Sequence, residues 1–392
     1  MAPRRPEVAD LAPRSHAELQ LRQAGGDLRV LGAADYRALV EGVGLQQAYD
    51  QTDVVVAADA TWTDQGALLL SLGPSDPPIR LREVQLAGVN ALVGGGSGDL
   101  VLPLGGGLTG PGRRSGAQVL SELLGGHPLA LSALGEPTAL QPRLELSGNL
   151  GLAQVPAGRL LLQRAVVENG IVAVSSAEGL LRTPHGPLLG PLQSALVTAG
   201  GAGSIGLTMP ALSLLGPGSP LLVGGGLGWV LGAGSGHNPA PRRQPLGHAC
   251  GPGAALAVTV DLDQLDPLQV RSCFLEGHGA ALLVPVAAPV PLLNGTIAQQ
   301  AAIGPQALQV PVLDLGIPRR VKPRLADVTY AELASGALTL GSSNLRCAPA
   351  HSPRLAAAAG ARLAAMLREG TFPLQAPLRP LSDRSALLPL DL

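Results

Sequence analysis

Between Arg182 and Arg242 the chain runs for 59 residues, Thr183 to Pro241, without a single Asp, Glu, Lys or Arg. A run of that length has to be buried, either in a membrane or inside a protein. A spanning helix requires about 20 consecutive apolar residues. Pro184, Pro187, Pro191, Pro210, Pro217 and Pro220, together with many glycines, interrupt every such run here. Proline removes a helix hydrogen bond, and glycine weakens a helix further. A second charge-free run, Gly277 to Leu313, is broken in the same way by Pro285, Pro289, Pro291, Pro305 and Pro311. Both read as short buried strands joined by tight turns, in a soluble protein whose glycine-rich core lines a ligand pocket.

The remaining composition narrows the partners. Basic and acidic side chains nearly balance, 27 against 28, with no block of either sign. That argues against nucleic acid or an anionic membrane surface. Aromatic residues make up 2% of the chain, which leaves no stacking platform for bases. Lys322 is the single lysine, so Schiff-base chemistry would rest on it alone and is set aside. No cofactor is evident. Three cysteines without a CxxC pair point to a reducing compartment rather than a disulfide framework. The amino terminus, MAPRRPEVADLAPRS, lacks the apolar stretch of a signal peptide, so a cytoplasmic location is expected.

Helices and strands interleave. Ser15-His-Ala-Glu18 is a capping box, and Ala34 to Tyr49 carries apolar residues at helical spacing. Asp53-VVVAAD and Ala67 to Leu72 read as strands, Ser75-Asp-Pro-Pro78 as a turn, and Ile79 to Leu86 as a half-buried strand. Ser115 to Leu124 is a helix candidate. Leu160 to Val167 and Ile171 to Val174 flank Asn169-Gly170, a hairpin signal. Asp327 to Gly336 suggests a short helix. Ser352 and Pro353 open a final helix that Gly370 closes, with Leu355, Ala359, Leu363 and Met366 on one face. These elements predict a mixed α/β (α+β) fold: a glycine-rich core of short strands over residues 15–345. A docked C-terminal helix and proline-rich tail follow over residues 346–392.

Few motifs carry chemistry. Gly201-Ala-Gly203-Ser-Ile-Gly206 fits G-x-G-x-x-G, but Pro210 cuts the following helix short and no acidic residue occurs before Asp261. A tight glycine turn is the better reading than a dinucleotide site. His237 and Asn238 end the dense run from Gly224, either as polar groups of a small-molecule site or as a solvated turn before Pro239. His248, Cys250, Cys273 and His278 lack zinc-ligand spacing, so no metal is expected. Arg319 and Arg320, beside Lys322, form a basic knot able to hold a carboxylate or phosphate, or simply a solvated loop.

Several segments, in order over nearly the whole chain, resemble one family. They are Asp53-VV, SDPPIRL from Ser75, VGGGLGWVLGAGSGHNP from Val223, PLLNGTIA from Pro291, LGIPRRVKP from Leu315, VTYAELASG from Val328, and the closing helix through LREGTFPL. The family is the homocysteine-biosynthesis, sulfur-incorporation family. The resemblance implies an enzyme that builds homocysteine from aspartate semialdehyde and sulfide-level sulfur, with a small-molecule substrate and a ferredoxin-like or sulfur-donor protein as possible partner. On that resemblance the catalytic candidates are Asp64 and His237. The substrate-binding candidates are Ser75, Asp76, Gly226, Gly228, Asn238, Arg319 and Arg320. The family pattern also carries two cysteines, whose places fall here on Asp64 and Leu140. That departure opens the alternative of a non-catalytic or regulatory small-molecule-binding relative.

Overall fold

The structure, a computed structural model, describes residues 11–94, 98–105 and 114–390. Residues 1–10, most of the segment in which no leader is read, lie outside them. Helices begin where the sequence supplies a cap. Ser15 opens His16–Gly25 and Ser115 opens Gly116–Leu124, each with reciprocal side-chain bonds to the third residue on. Ser352 opens Pro353–Arg368 with proline in the first turn. Each hydroxyl satisfies an N–H that the helix itself leaves without a partner. The helix expected over Ala34 to Tyr49 is in fact two, Ala33–Val43 and Leu45–Gln51. Gly44 between them stands at φ 84°, a conformation that ends a helix and that a side chain resists. The helix expected over Asp327 to Gly336 shrinks to Tyr330–Leu333, because strand Arg324–Thr329 pairs with Gln309–Asp314 and claims its start.

A 14-stranded sheet carries most of the fold. Across it run Val30–Gly32, Val54–Thr63, Gly279–Pro291, Pro220–Val223, Gly226–Ala233, Ala255–Asp261, Ala157–Val167 and Gly66–Ser71. Asp99–Pro103, Val89–Gly94, Leu81–Leu86, Leu129–Gly135 and Glu145–Leu150 complete the order, and Arg271–Leu275 pairs the near half of Gly279–Pro291. Strands Val54–Thr63 and Gly66–Ser71 are six places apart in this order, yet only Asp64 and Gln65 join them in the chain. The sheet must therefore curl until the two meet end to end, with Leu68, Leu70, Leu102, Val166 and Val258 among the residues buried inside the curve.

A six-stranded sheet lies beside it, in the order Arg324–Thr329, Gln309–Asp314, Val172–Val174, Ser194–Val197, Ser343–Pro349, Ala337–Leu340. Asn169-Gly170 does not turn a hairpin. Ala157–Val167 belongs to the first sheet and Val172–Val174 to the second, so the pair is a crossing between them. The Asn169 side chain holds that crossing in place. It donates to the carbonyls of Ala249 (2.7 Å) and Gln309 (2.8 Å) and accepts from Gly170 N–H (2.7 Å) and the Tyr330 hydroxyl (2.6 Å).

The charge-free runs are buried strands, but not all short. Gly279–Pro291 is thirteen residues long and buried throughout, although proline is ordinarily confined to sheet edges. Parity resolves the conflict. Leu292 N–H donates to Asp53 O, on the Val54–Thr63 side, while Pro285 O accepts from Gly224 N–H on the other. Successive residues alternate sides, so Pro285, Pro289 and Pro291 all face away from Val54–Thr63, whose ten-residue ladder stays intact. On the far side the partner changes from Arg271–Leu275 to Pro220–Val223 at Pro285, where no donor is needed.

The C-terminal helix packs on strands Val54–Thr63 and Gly279–Pro291, burying Ala359, Leu363, Ala364 and Leu367 against Val54, Val56, Leu222 and Ala287, and Leu355 against Ala60 and Leu283. Among the described residues no helix is long and apolar enough to cross a membrane.

Candidate functional site

Strands Val54–Thr63 and Ala157–Val167 approach one another without pairing, and a cavity of about 520 Å³ opens where they do. Asp59 and Thr61 to Asp64 form one wall, and Arg164 to Val167 another. Leu313 of the second sheet and the segments that border that sheet, with Asn169, Thr198, Ala199, Arg320 and Lys322, complete the lining. Pro184 and His185, at the tip of the hairpin Gly179–Thr183/Gly186–Gly190, close it from the side, beside His278.

The polar groups are arranged by charge. His278 Nε2 lies 3.1 Å from Asp64 Oδ2, an ion pair when the imidazole is protonated. His278 sits in the tight turn between Arg271–Leu275 and Gly279–Pro291, where Gly277 (φ 74°) and Gly279 (φ 120°) allow the reversal. Arg164, in strand Ala157–Val167, is partly buried and makes no hydrogen bond or ion pair among the described residues. Lys322 Nζ donates to Ile317 O (2.7 Å), and Arg320 Nη1 to Leu387 O (3.1 Å). Burial pushes His185 down to about 4, helped by the positive Arg164 and His278, so it is neutral at ordinary pH.

Asp59 is the buried acid of the site. One oxygen accepts from Ile205 N–H (2.9 Å), at the head of the turn made by Gly201 to Gly206. That glycine motif leads into a helix of only four residues, Ile205–Thr208, so it is a turn clasping a carboxylate. Burial pushes the Asp59 carboxyl up to about 6, against the opposing effect of the Ile205 bond. The folded protein thus holds this proton more tightly than the unfolded chain, whose carboxyl titrates near 3.8. Stability from this group is greatest below that lower value and declines as pH rises through the window to about 6. Asp59→Asn is accordingly expected to gain stability over the parent from pH 4 to 6 and to hold a constant advantage above it. Thermal denaturation in a buffer series measures this, and a pH-independent difference between the two proteins would contradict it.

Of the catalytic and substrate-binding candidates named from sequence, Asp64 and Arg320 line this cavity and the others do not. His237 is buried outside it and both ring nitrogens are engaged. Nδ1 accepts from Ala255 N–H (3.1 Å), which leaves the proton on Nε2 to donate to Ser382 O (2.8 Å). It fastens the C-terminal tail, whose Ala386 N–H also reaches His237 O (2.9 Å). Asn238 accepts from Ala240 N–H in its own turn. Gly226 and Gly228 are small so that strands can close: a Cβ would stand 2.7 Å from Gln264 O or 2.9 Å from Thr259 O. Ser75 and Asp76 lie in the loop before Leu81–Leu86, where the Ser75 hydroxyl donates to Pro77 O (3.0 Å) and Asp76 O accepts from Arg143 (3.3 Å). Arg319 is exposed, and Leu140 is 85% exposed on a loop that does not line the cavity. The part of the charge-free run that reaches the cavity is its front, Pro184 to Ala199.

Sequence reasoning passed over Arg164, His185, Asp59 and, except as a weak metal candidate, His278. Asp59 did carry a signal, a lone charge in a strand of mostly buried apolar residues, and Arg164 a weaker one, a charge directly before the buried pair Ala165 and Val166. No group of three metal-ligating side chains assembles among the described residues.

A family model described as "Homocysteine biosynthesis enzyme, sulfur-incorporation" matches residues 28–374. A protein of Methanocaldococcus jannaschii named L-aspartate semialdehyde sulfurtransferase is 29% identical over 329 residues, 80% of this chain and 61% of that protein. A protein of the same name from Methanosarcina acetivorans is 26% identical over 375 residues, 95% of this chain and 73% of its own. The chain thus spans about three fifths of the length of the first of these relatives. No solved structure matches it.

Proposed function

Because the chain belongs to the homocysteine-biosynthesis, sulfur-incorporation family, we propose that it is an enzyme incorporating sulfide-level sulfur into L-aspartate semialdehyde to form homocysteine. The observation that carries this reading is one cavity lined by the Asp64–His278 pair, by Asp59, and by Arg164, which has no partner among the described residues. The substrate presents an aldehyde, an α-carboxylate and an α-ammonium. Arg164, seconded by Arg320 and Lys322, holds the carboxylate; a guanidinium does so with two parallel bonds. Asp59 receives the ammonium on the oxygen that Ile205 leaves open. His278 meets the carbonyl oxygen, oriented by Asp64, and neutral His185 lines the approach. Overall the aldehyde oxygen leaves as water, sulfur takes its place, and two electrons come from an external donor, for which a ferredoxin-like protein is one class. Three free cysteines are consistent with a reducing, cytoplasmic setting.

The test is direct. Purified protein, L-aspartate semialdehyde, sulfide and a low-potential reductant are incubated and homocysteine is quantified. Product above the enzyme-free control is expected, and Arg164→Met is expected to raise KM about 10- to 100-fold through loss of one charge-assisted pair. Ligand-induced thermal stabilisation with no product would replace the enzyme by a binding relative.

A further inference from the structure

Resting on that reading of the cavity, we propose that this chain takes its sulfur as free hydrosulfide, added directly to the aldehyde at the Asp64–His278 pair, with no sulfur carried on an enzyme cysteine. The positions of the three cysteines exclude the carried route. Cys250 is buried in the segment after Arg243, and Cys347 lies in the second sheet opposite Ala195. Neither lines the cavity. Cys273 comes nearest, as the register partner of Ala281 on the cavity wall. Its thiol, however, is turned onto the Ala281 carbonyl at 3.5 Å, and burial pushes it up to about 11. Sulfur transfer through a protein persulfide begins with a thiolate, and Cys273 is held as the thiol.

The cavity is instead built to receive a small anion. Arg164, Arg320 and Lys322 outnumber the carboxylates Asp59 and Asp64, before His278 adds its own charge on protonation. The amino-acid substrate brings no net charge, so a surplus of positive charge is left for a second, anionic reactant. Hydrosulfide fits it, being a nucleophile already and needing no enzyme group to activate it.

The step conserves atoms and electrons. A lone pair of hydrosulfide forms the C–S bond at the aldehyde carbon, and the carbonyl π pair moves to oxygen. That oxygen takes a proton from His278, through the ring nitrogen that Asp64 does not hold. The product is a 1-hydroxythiol, with no change in oxidation state overall. Reduction and loss of water follow, using the external two-electron donor already required.

The experiment removes the cysteines. Cys250→Ala, Cys273→Ala, Cys347→Ala and the triple variant are assayed with L-aspartate semialdehyde, sulfide and reductant beside the parent. Turnover within about two-fold of the parent is expected for each. A loss of about ten-fold or more in any folded single variant, with the parent active, overturns the proposal. Should the triple variant not fold, the single variants decide. The parent is also treated with polysulfide and its intact mass measured. An unchanged mass is expected, whereas one bound sulfur that disappears in Cys273→Ala overturns the proposal. If the parent itself makes no homocysteine, the reading of the overall reaction fails, and the mass measurement still decides the cysteine question.

Discussion

Replacing His278 with alanine is expected to lower kcat/KM for homocysteine formation by about 10² to 10⁴, the usual worth of a positioned acid–base group. His278 is held by Asp64 at 3.1 Å, in a glycine-flanked turn that opens on the cavity. Its removal takes away the proton donor to the aldehyde oxygen and leaves the walls standing, since the side chain is not part of the apolar core. Asp64→Asn keeps the ring but loses the charge that orients it, and a smaller loss follows in kcat with KM little changed. Steady-state kinetics on both variants, with melting temperatures as control, measure this. If His278→Ala keeps parental kcat/KM, the chemistry assigned to the pair is wrong.

The largest effect on stability is expected from Glu168→Ala, a loss of about 3 to 5 kcal/mol from breaking a buried ion pair by one partner. Glu168 is fully buried at the crossing between the sheets. It accepts from Ala211 N–H (2.7 Å) and Ala254 N–H (3.0 Å) and pairs with Arg243, whose Nη2 lies 3.2 Å from Oε2. Alanine takes the acceptor from two N–H groups, that of buried Ala254 among them, and the counter-charge from one guanidinium. It also opens a space in a crowded place, because a Cβ on Gly253 would stand 2.3 Å from Glu168 Oε2. The urea midpoint measures the loss. Adding Arg243→Met to Glu168→Ala should recover part of it, by removing the stranded charge. A midpoint unchanged in Glu168→Ala would show the pair to be dispensable.

Local chemistry was legible in the sequence and long-range pairing was not. Ser15, Ser115 and Ser352 could be read as caps because capping depends on residues three apart. The mixed α/β class and the docked final helix follow from period alone. Asn169-Gly170 misled because a hairpin signal is also local, while the partners that settle its geometry, Ala249, Gln309 and Tyr330, lie 80 to 161 residues away. Proline in a central strand went unforeseen, since it is the side each proline faces that makes it harmless. At the site, Asp64 was found through resemblance and Arg320 through the basic knot around Lys322. His237 drew attention as a polar group after an apolar run, yet the cause of its place there is the tail it holds. Asp59 was the missed opportunity, a charge where a buried strand tolerates none without a purpose.

The cavity draws its walls from Asp59 to Ala350, and the central ladder pairs Val54–Thr63 with Gly279–Pro291, more than two hundred residues on. Chain closure over such a span costs entropy that only the finished sheet repays. A ribosome that has released the first half of this chain has therefore released no part of a working site. Ligand affinity arises in one late step, together with the closing of the sheet. Recombination faces the same constraint: a splice anywhere between Asp59 and Ala350 divides the site, so the activity is inherited whole or not at all.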